Sequence, residues 1–438
     1  AYSGFQGDTL ASALMANGVR LVGRSFKYHR PRGILTAGPE EPNAMVEVLD
    51  GGSQSPNTRA TVQEIYDGMA AQSQNRWPSL RYDLLSINDL AAPFLSAGFY
   101  YKTFMWPRAF WEKLYEPAIR RAAGLGALSG EHNTDAYEKV QAFCDLLIIG
   151  AGPTGLMAAL TAARAGAQVI LCDEDVKMGG RLNAETFEIA GMSGKKWAAS
   201  VVTELDSLPN VRLMTRTAVV GAYDNGTFGA LERLPHEAIA RGAPREAFWR
   251  IVAKRALLCA GAIERPIAFR NNDRPGIMTA GAVRAYVNRW AVAPGTQVAV
   301  FGNNDDAHRT AADLLAAGVH VSALIDARPD AKTTLPIRLF AGAQVMDAAG
   351  RKHLESITIR TSKGEERLQA DCLAMSGGWN PTVHLTCHMN GRPTWRDDIA
   401  SFVPTPGSVP GMDTAGACNG AFSTHAALAE GQAKALSA

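Results

Sequence analysis

Residues 144–175 read CDLLIIGAGPTGLMAALTAARAGAQVILCDED. The apolar run Cys144–Ile149 has the length of a buried strand. It leads into Gly150-x-Gly152-x-x-Gly155, an apolar helix followed by Gly166, a second apolar strand at Gln168–Leu171, and then Asp173. This order predicts a Rossmann βαβ unit, and it argues against the simpler reading of a structural glycine-rich turn. Gly150 permits the tight turn, Gly152 lets the backbone approach a pyrophosphate, and Gly155 lets the helix lie against the strand. Ala151, Pro153 and Thr154 complete the loop, where unpaired N–H groups and the helix dipole favour negative charge. Asp173 stands about 20 residues on, where a carboxylate accepts bonds from ribose hydroxyls and repels a 2′-phosphate. Glu174 is the alternative ribose ligand. NAD or FAD is therefore favoured over NADP.

A chain of 438 residues has room for two to four domains. A formal net charge of +2, with 20% charged residues, gives no reason to expect nucleic acid or an anionic membrane as partner. The six cysteines, Cys144, Cys172, Cys259, Cys372, Cys387 and Cys418, contain no C-x-x-C pair. A disulfide framework, a zinc site and an iron–sulfur cluster are therefore not expected, and a reducing cytoplasm fits. No apolar run approaches the roughly 20 residues of a membrane span, and no signal-peptide core is present. The chain opens on Ala1, not methionine, so residues are expected to be missing there. The nine histidines lack metal-ligand spacing and there is no G-x-S-x-G elbow, so no catalytic residue and no metal ligand is assigned.

On the N-terminal side, Asp8 or Thr9 caps a short helix stopped by Gly18, and a strand at Ala44–Leu49 closes a small α+β unit over 1–75. Within it, RLVGRSFKYHRPRG (20–33) carries five cations and a histidine. The segment 76–140 includes Trp77–Tyr115, with 11 of the chain's 33 aromatic residues among prolines and charges. Such enrichment marks an interface centre, the alternative being packing on the protein's own core. Residues 123–136 read as a linker. Beyond them, strands at Val211–Thr215, Ile251–Cys259, Gln297–Phe301 and His320–Ile325 alternate with helices, as in a parallel α/β sheet. The expected layout is a first dinucleotide domain over 141–290 and 369–438, interrupted by a second Rossmann-like domain over 291–368.

Further motifs are Gly179-Gly180-Arg181, ALLCAGAIERP (256–266) and DTAGACNGAFSTHAALAEGQAKAL (413–436). Together with the fingerprint they resemble the ordered motif set of the two-dinucleotide-domain flavoprotein disulfide reductase superfamily. The resemblance places Gly180, Arg181, Ala260, Gly261 and Gly416 at the cofactor, Val219 against adenine through its backbone, and Ala417, Phe422 and Thr424 beside the cofactor's other end. For these last residues helix packing is the alternative. In that superfamily the last motif carries an aspartate for the flavin, whereas here Gly416-Ala417-Cys418 stands in its place. This departure shifts the expectation from FAD to NAD. Cys418 would then lie at the cofactor groove, without a resolving cysteine near it in sequence.

QVAVFGNNDDAHRTAADLLAAGVHVSALIDAR (297–328) repeats the βαβ pattern with Asn304 and Ala307 at the second and third glycine positions. A side chain at Asn304 crowds a pyrophosphate, and Asp305 and Asp306 repel it. This half is expected to hold no nucleotide, which speaks against self-contained reduction by NAD(P)H.

The strings GDTLASALMANGVRLVGRSFKYHRPRGILTAGPEEPNA (7–44), NNDRPGIMTAGAV (271–283) and FGNNDDAHRTA (301–311) closely resemble the α subunits of heterotetrameric sarcosine oxidases. The resemblance covers essentially the whole chain. It implies an N-terminal unit like a plant-type ferredoxin without its cluster, in agreement with the absence of cysteine before Cys144. It implies NAD in this chain, FAD and FMN in a β subunit or at its boundary, smaller γ and δ subunits, and amine oxidation in the neighbouring chain. Sarcosine would give glycine, hydrogen peroxide and formaldehyde or methylenetetrahydrofolate. The folate domain usual in the family is not expected on these residues. On the same basis Ser25, Lys27, His29, Arg30 and Arg32 would face an FMN phosphate or an acidic partner surface; a solvated loop is the alternative. Subunits of N-methylglutamate, opine and proline dehydrogenases are similar, and a self-contained flavin reductase or a scaffold with a vestigial site are the competing classes.

Overall fold

Thr9 opens the first helix, Leu10–Ala16, with a reciprocal cap: its hydroxyl accepts from the Ser12 amide at 3.2 Å, and its own amide donates to Ser12 Oγ at 3.0 Å. Such a cap satisfies donors that a helix start leaves unpaired. Ala11 and Met15 of this helix share a core with Val46 and Val48. Those two belong to Met45–Leu49, the middle strand of an antiparallel sheet ordered Ser55–Arg59, Met45–Leu49, Ala70–Ser73. This is the expected small α+β unit. The computed structural model describes residues 1–93, 98, 106–124 and 126–437. Part of the aromatic segment Trp77–Tyr115 thus lies outside the described residues.

The described chain divides into two compact units, Ala1–Thr134 with Pro266–Gly377 and Asp135–Arg265 with Gly378–Ala438. In the first, the core of the N-terminal α+β part runs on into Met278, Val283, Tyr286, Val298, Leu314 and Leu324. These residues come from a five-stranded parallel sheet ordered Ile277–Thr279, Cys372–Ser376, Val298–Gly302, Val321–Asp326, Leu339–Ala341, and from the helices Ala280–Trp290 and Asp305–Ala316. Cys372–Ser376 is buried at every position, as a central parallel strand covered on both faces must be. It fills the slot between Ile277–Thr279 and Val298–Gly302. Residues 266–290 and 369–377, expected with the first dinucleotide domain, therefore belong to the second sheet. The expected boundaries at 290 and 368 move to 265 and 377 because that sheet is incomplete without its two flanking strands.

The second unit holds a seven-stranded mixed sheet. Val211–Met214, Val169–Cys172, Tyr137–Ile149, Glu246–Leu258 and Met412–Thr414 run parallel, and Thr227–Arg233 and Thr217–Tyr223 continue it antiparallel. The helix Pro153–Arg164 covers one face, with Leu146, Ile148, Leu156, Leu171 and Leu257 in its core. Tyr137–Ile149 begins earlier than the apolar run suggests because its first half is paired along its length with Glu246–Leu258 despite exposed side chains.

Tyr286 is fully buried, and its hydroxyl donates to the Thr36 carbonyl oxygen at 3.1 Å. Tyr286→Ala is expected to cost about 3–5 kcal/mol through the cavity it leaves, and Tyr286→Phe about 1 kcal/mol through the lost hydrogen bond. Because the core is shared, hydrogen exchange on Tyr286→Ala should show protection falling together in Met45–Leu49 and Val298–Gly302; loss confined to one of them would contradict a common core.

Candidate functional site

The glycine-rich turn leaves the end of Tyr137–Ile149 and enters Pro153–Arg164. Gly150 has φ +101°, and a Cβ there would lie 2.5 Å from the Cys259 carbonyl oxygen. A Cβ on Gly155 would lie 1.9 Å from the Gly150 carbonyl oxygen, whereas one on Gly152 would meet nothing within 4 Å. The turn is thus closed on the strand side and open where a ligand would arrive. Gly152 is the N-cap, Pro153 gives up an amide the helix cannot use, and the amides of Thr154 and Gly155 have no intrahelical acceptor.

The neighbouring loops close on this turn. Gly179 donates to the Ala151 carbonyl oxygen at 2.8 Å, and Gly180, at φ +51°, passes so close to Gly152 that a Cβ would stand 2.9 Å from its Cα. Arg181 pairs with Glu185 and donates to the Phe422 carbonyl oxygen at 2.9 Å. A Cβ on Gly416 would lie 2.1 Å from Thr154 Oγ1, and the Ala260 Cα would be 3.2 Å from a Cβ on Gly150. Gly261 accepts from the Thr382 amide at 3.1 Å. The strand Thr217–Tyr223 begins with the Thr217 amide donating to the Asp173 carbonyl oxygen at 2.8 Å, which sets Val219 two residues from the acid's partner. Ala417 follows Gly416, and Thr424 opens the final helix, Thr424–Ser437. The structure therefore brings Gly180, Ala260, Gly416 and, through Arg181, Phe422 to this turn, while Val219, Gly261, Ala417 and Thr424 are placed by their own elements and Glu174 is exposed.

The Asp173 carboxylate accepts from the Ala151 amide at 2.6 Å and from the Asp175 amide at 2.8 Å. It braces the turn, a task invisible in the spacing. Glu430 was not a candidate in the sequence: its carboxylate accepts from the Gly416 amide at 2.8 Å and from Asn419 at 3.4 Å. It sits one residue before Gly431, where a Cβ would meet the Thr154 carbonyl oxygen at 2.4 Å. That helix-packing glycine was the signal that could have pointed to it. Cys418 does not face the groove. It is fully buried, its thiol donates to the Leu258 and Ala415 carbonyl oxygens at 3.0 and 3.2 Å, and burial pushes it up to about 12 despite nearby backbone bonds.

At the second fingerprint Asn304 accepts from the Asp306 amide at 2.9 Å, occupying a donor that a phosphate would use. Asp326, at the end of its strand and fully buried, accepts from His308 at 2.8 Å and from Arg328 at 2.8 Å, and Arg328 also reaches Asp305 at 2.8 Å. Burial alone would raise the Asp326 carboxyl, but the bonds and charge of Arg328 and His308 together hold it below the usual range. What remains beside these groups is an open polar depression of about 390 Å³.

The basic stretch is engaged within its own unit. Arg30 makes two bonds of 2.8 Å to the Asp273 carboxylate and Arg32 pairs with the same group. His29, at 1% exposure, holds Asp83 at 2.6 Å, Ser25 Oγ accepts from the Arg30 amide at 2.9 Å, and Lys27 lies 4.6 Å over the Tyr28 ring. Arg30 and Arg32 thus share the Asp273 carboxylate within this unit. Among the described residues no group of three or more His, Cys, Asp or Glu is placed to hold a metal ion, and no helix is long and apolar enough to cross a membrane.

Residues 145–225 match the family model of FAD dependent oxidoreductases, and residues 1–76 match that of the 2Fe-2S iron-sulfur cluster binding domain. Such a cluster needs four thiolates, and the first cysteine here is Cys144, so these residues do not fit it. Among solved structures, L-proline dehydrogenase from P. horikoshii matches with a TM-score of 0.68 at 20% identity, covering 99% of this chain and 70% of that one. Thioredoxin reductase of Lactococcus lactis matches with a TM-score of 0.52 at 16% identity over 67% of this chain and 97% of its own. By fold the chain is thus built on Rossmann-like domains of the disulfide-reductase type. Its sequence is 53% identical to the sarcosine oxidase α subunit of Rhizobium meliloti over 99% of this chain, and 36% identical to that of Corynebacterium sp. strain P-1 over 98%. The chain belongs to the family of sarcosine oxidase α subunits, and it spans 44% and 41% of the length of these two relatives.

In the native chain a thiol reagent should label Cys387, the one exposed cysteine, quickly, and reach the five buried ones only on unfolding. Fast labelling of Cys418 would contradict its buried position. A carboxyl held low in the folded state stabilises above its unfolded pKa of about 3.9 and loses that contribution as pH falls through its lower folded value. Acid melting below about pH 4 should therefore destabilise the first unit, and Asp326→Asn should flatten that dependence and cost about 1.5–3 kcal/mol at neutral pH through its charged hydrogen bonds.

Proposed function

We propose that this chain is the NAD-holding α subunit of a multi-subunit, flavin-dependent sarcosine oxidase. The observation that carries the reading is the 53% identity, along a chain with an open glycine cradle, to the α chain of a sarcosine oxidase. The amides of Thr154 and Gly155 would meet the pyrophosphate, Gly152 would let it approach, and Asp173 would accept the ribose hydroxyls, with Glu174 as the alternative. Gly180, Arg181, Val219, Ala260, Gly261, Gly416, Ala417, Phe422 and Thr424 would line the groove. FAD and FMN supply the oxidation of the amine when bound, and they would lie in a partner β subunit or at its boundary, with γ and δ subunits completing a cytoplasmic complex. Sarcosine, dioxygen and water would there give glycine, formaldehyde and hydrogen peroxide; with tetrahydrofolate in place of water, methylenetetrahydrofolate would form instead of formaldehyde.

The side chains at the second fingerprint support a holding role over self-contained NAD(P)H chemistry, since Asn304 crowds and Asp305 and Asp306 repel a second pyrophosphate, and Asp326 is already taken by Arg328 and His308. Exposed Trp77, Tyr82, Ile87 and Leu90 support a partner surface in the aromatic segment. Membership of a related amine or amino-acid dehydrogenase, acting on N-methylglutamate, an opine or proline, is the second reading. It is favoured by 25% identity to one of the opine oxidase subunits of Agrobacterium tumefaciens over 60% of this chain and 58% of that protein.

The purified chain should be colourless and release NAD on denaturation; a stoichiometric flavin spectrum would overturn the assignment. Asp173→Ala should weaken NAD retention by about 10- to 100-fold, the worth of a charged hydrogen bond, whereas Glu174→Ala should change it little. Retention unchanged in Asp173→Ala would move the ribose contact to Glu174 or another group. Peroxide formed from sarcosine, proline and N-methylglutamate after addition of candidate β partners decides the substrate, and activity without any partner would refute the multi-subunit reading.

A further inference from the structure

Plant-type ferredoxins bind their cluster through a C-x4-C-x2-C run and a fourth, distant cysteine. Within the region matching a cluster-binding domain, Thr36, Glu41 and Ala44 have that spacing. Ala60 donates its amide to the Ala44 carbonyl oxygen at 2.9 Å, and both alanines are fully buried. The loop between these positions is wrapped around one side chain. Glu41 is 1% exposed, and its Oε2 accepts from the Leu35 amide at 2.9 Å, the Thr36 amide at 2.7 Å and the Thr36 hydroxyl at 3.2 Å. Its Oε1 accepts from the Asn43 amide at 2.8 Å and the Ala44 amide at 3.0 Å.

A loop that turns its amides inward needs an anion at its centre, because buried N–H groups without acceptors are costly. In a cluster protein the sulfurs accept such bonds. Here a carboxylate accepts them, and it rises from one of the positions where a thiolate would have been. We infer that the Glu41 carboxylate has taken over the place of the iron–sulfur cluster. The domain keeps the enclosing loop, holds it with an internal anion, and carries no electron. The loop then serves as a platform: Leu35 accepts from the Thr279 amide at 2.9 Å, and Thr36, held by Glu41 through its amide, accepts from Tyr286 at 3.1 Å. The buried carboxylate is thereby tied to the core under the parallel sheet of the same unit.

The test uses the full chain. Glu41→Gln must turn an NH2 group toward one pair of inward amides, so it should melt several degrees lower, and Glu41→Ala lower still, while Glu355→Gln on an exposed side chain of the same unit melts with the parent. Melting of Glu41→Gln and Glu41→Ala together with the parent would overturn the inference. The second arm is the variant T36C/E41C/A44C/A60C, reconstituted anaerobically with ferrous iron and sulfide beside the unaltered chain. It should bind about two irons and two sulfides, show the visible bands of a [2Fe–2S] centre with an electron paramagnetic resonance signal on reduction, and regain the melting temperature lost in Glu41→Ala. The unaltered chain should bind none. A folded four-cysteine chain that takes up no iron would show that this loop is not the cluster's place.

Discussion

The N-terminal end of one helix lies against the strand it follows as closely as backbone can. At Gly155 the contact with the Gly150 carbonyl oxygen leaves no room for a methyl group, and Gly431 and Gly416 bring the last helix and its preceding loop onto Thr154 with the same tolerance. Three close approaches thus converge on a single turn of helix, whose first amides are left without internal acceptors. The loops that carry Gly180, Arg181 and Phe422 are positioned by reference to this turn, and Asp173 braces it from the neighbouring strand. Fixed donors around an open space are what a dinucleotide site needs, since a ligand then meets dipoles that do not have to be reorganised.

The second βαβ unit shows what the same architecture does when its donors are used internally. Asn304 caps the helix, Asp305 and Asp306 favour the dipole that a phosphate would have exploited, and Asp326 is bound by Arg328 and His308. Each of these side chains is satisfied within the unit, on donors and charges that the first fingerprint leaves open. Glu41 belongs to the same pattern in the N-terminal part of that unit: an internal side chain satisfies a geometry that a cofactor satisfies elsewhere. The shared core of this unit runs from Ala11 to Ala374.

The basic stretch illustrates how charge in a sequence differs from charge available to a partner. Five cations within 14 residues suggest an anion site, but Arg30 and Arg32 share Asp273, and His29 is buried on Asp83. Asp273 is more than 240 residues away in the chain. No local pattern announces such a pairing, because ion pairs are selected by the fold that brings the partners together.

The sequence by itself determined the βαβ unit at 144–175, the roles of its three glycines, the acid after the second strand, the altered second fingerprint and the cysteine-free N-terminal domain. These are local: spacing along the chain sets which backbone atoms can approach and which side chains obstruct. Only the tertiary structure decided that Cys372–Ser376 completes the second sheet, that Cys418 turns away from the groove into carbonyl oxygens, that Glu430 holds Gly416, and that Asp173 braces the turn. Each depends on partners far apart in the chain. An isolated cysteine or glutamate carries no sign of whether folding will leave it facing a ligand or occupied by a neighbour. That choice is made by burial, where an unpaired polar group costs too much to leave and is satisfied by whatever the packing places beside it.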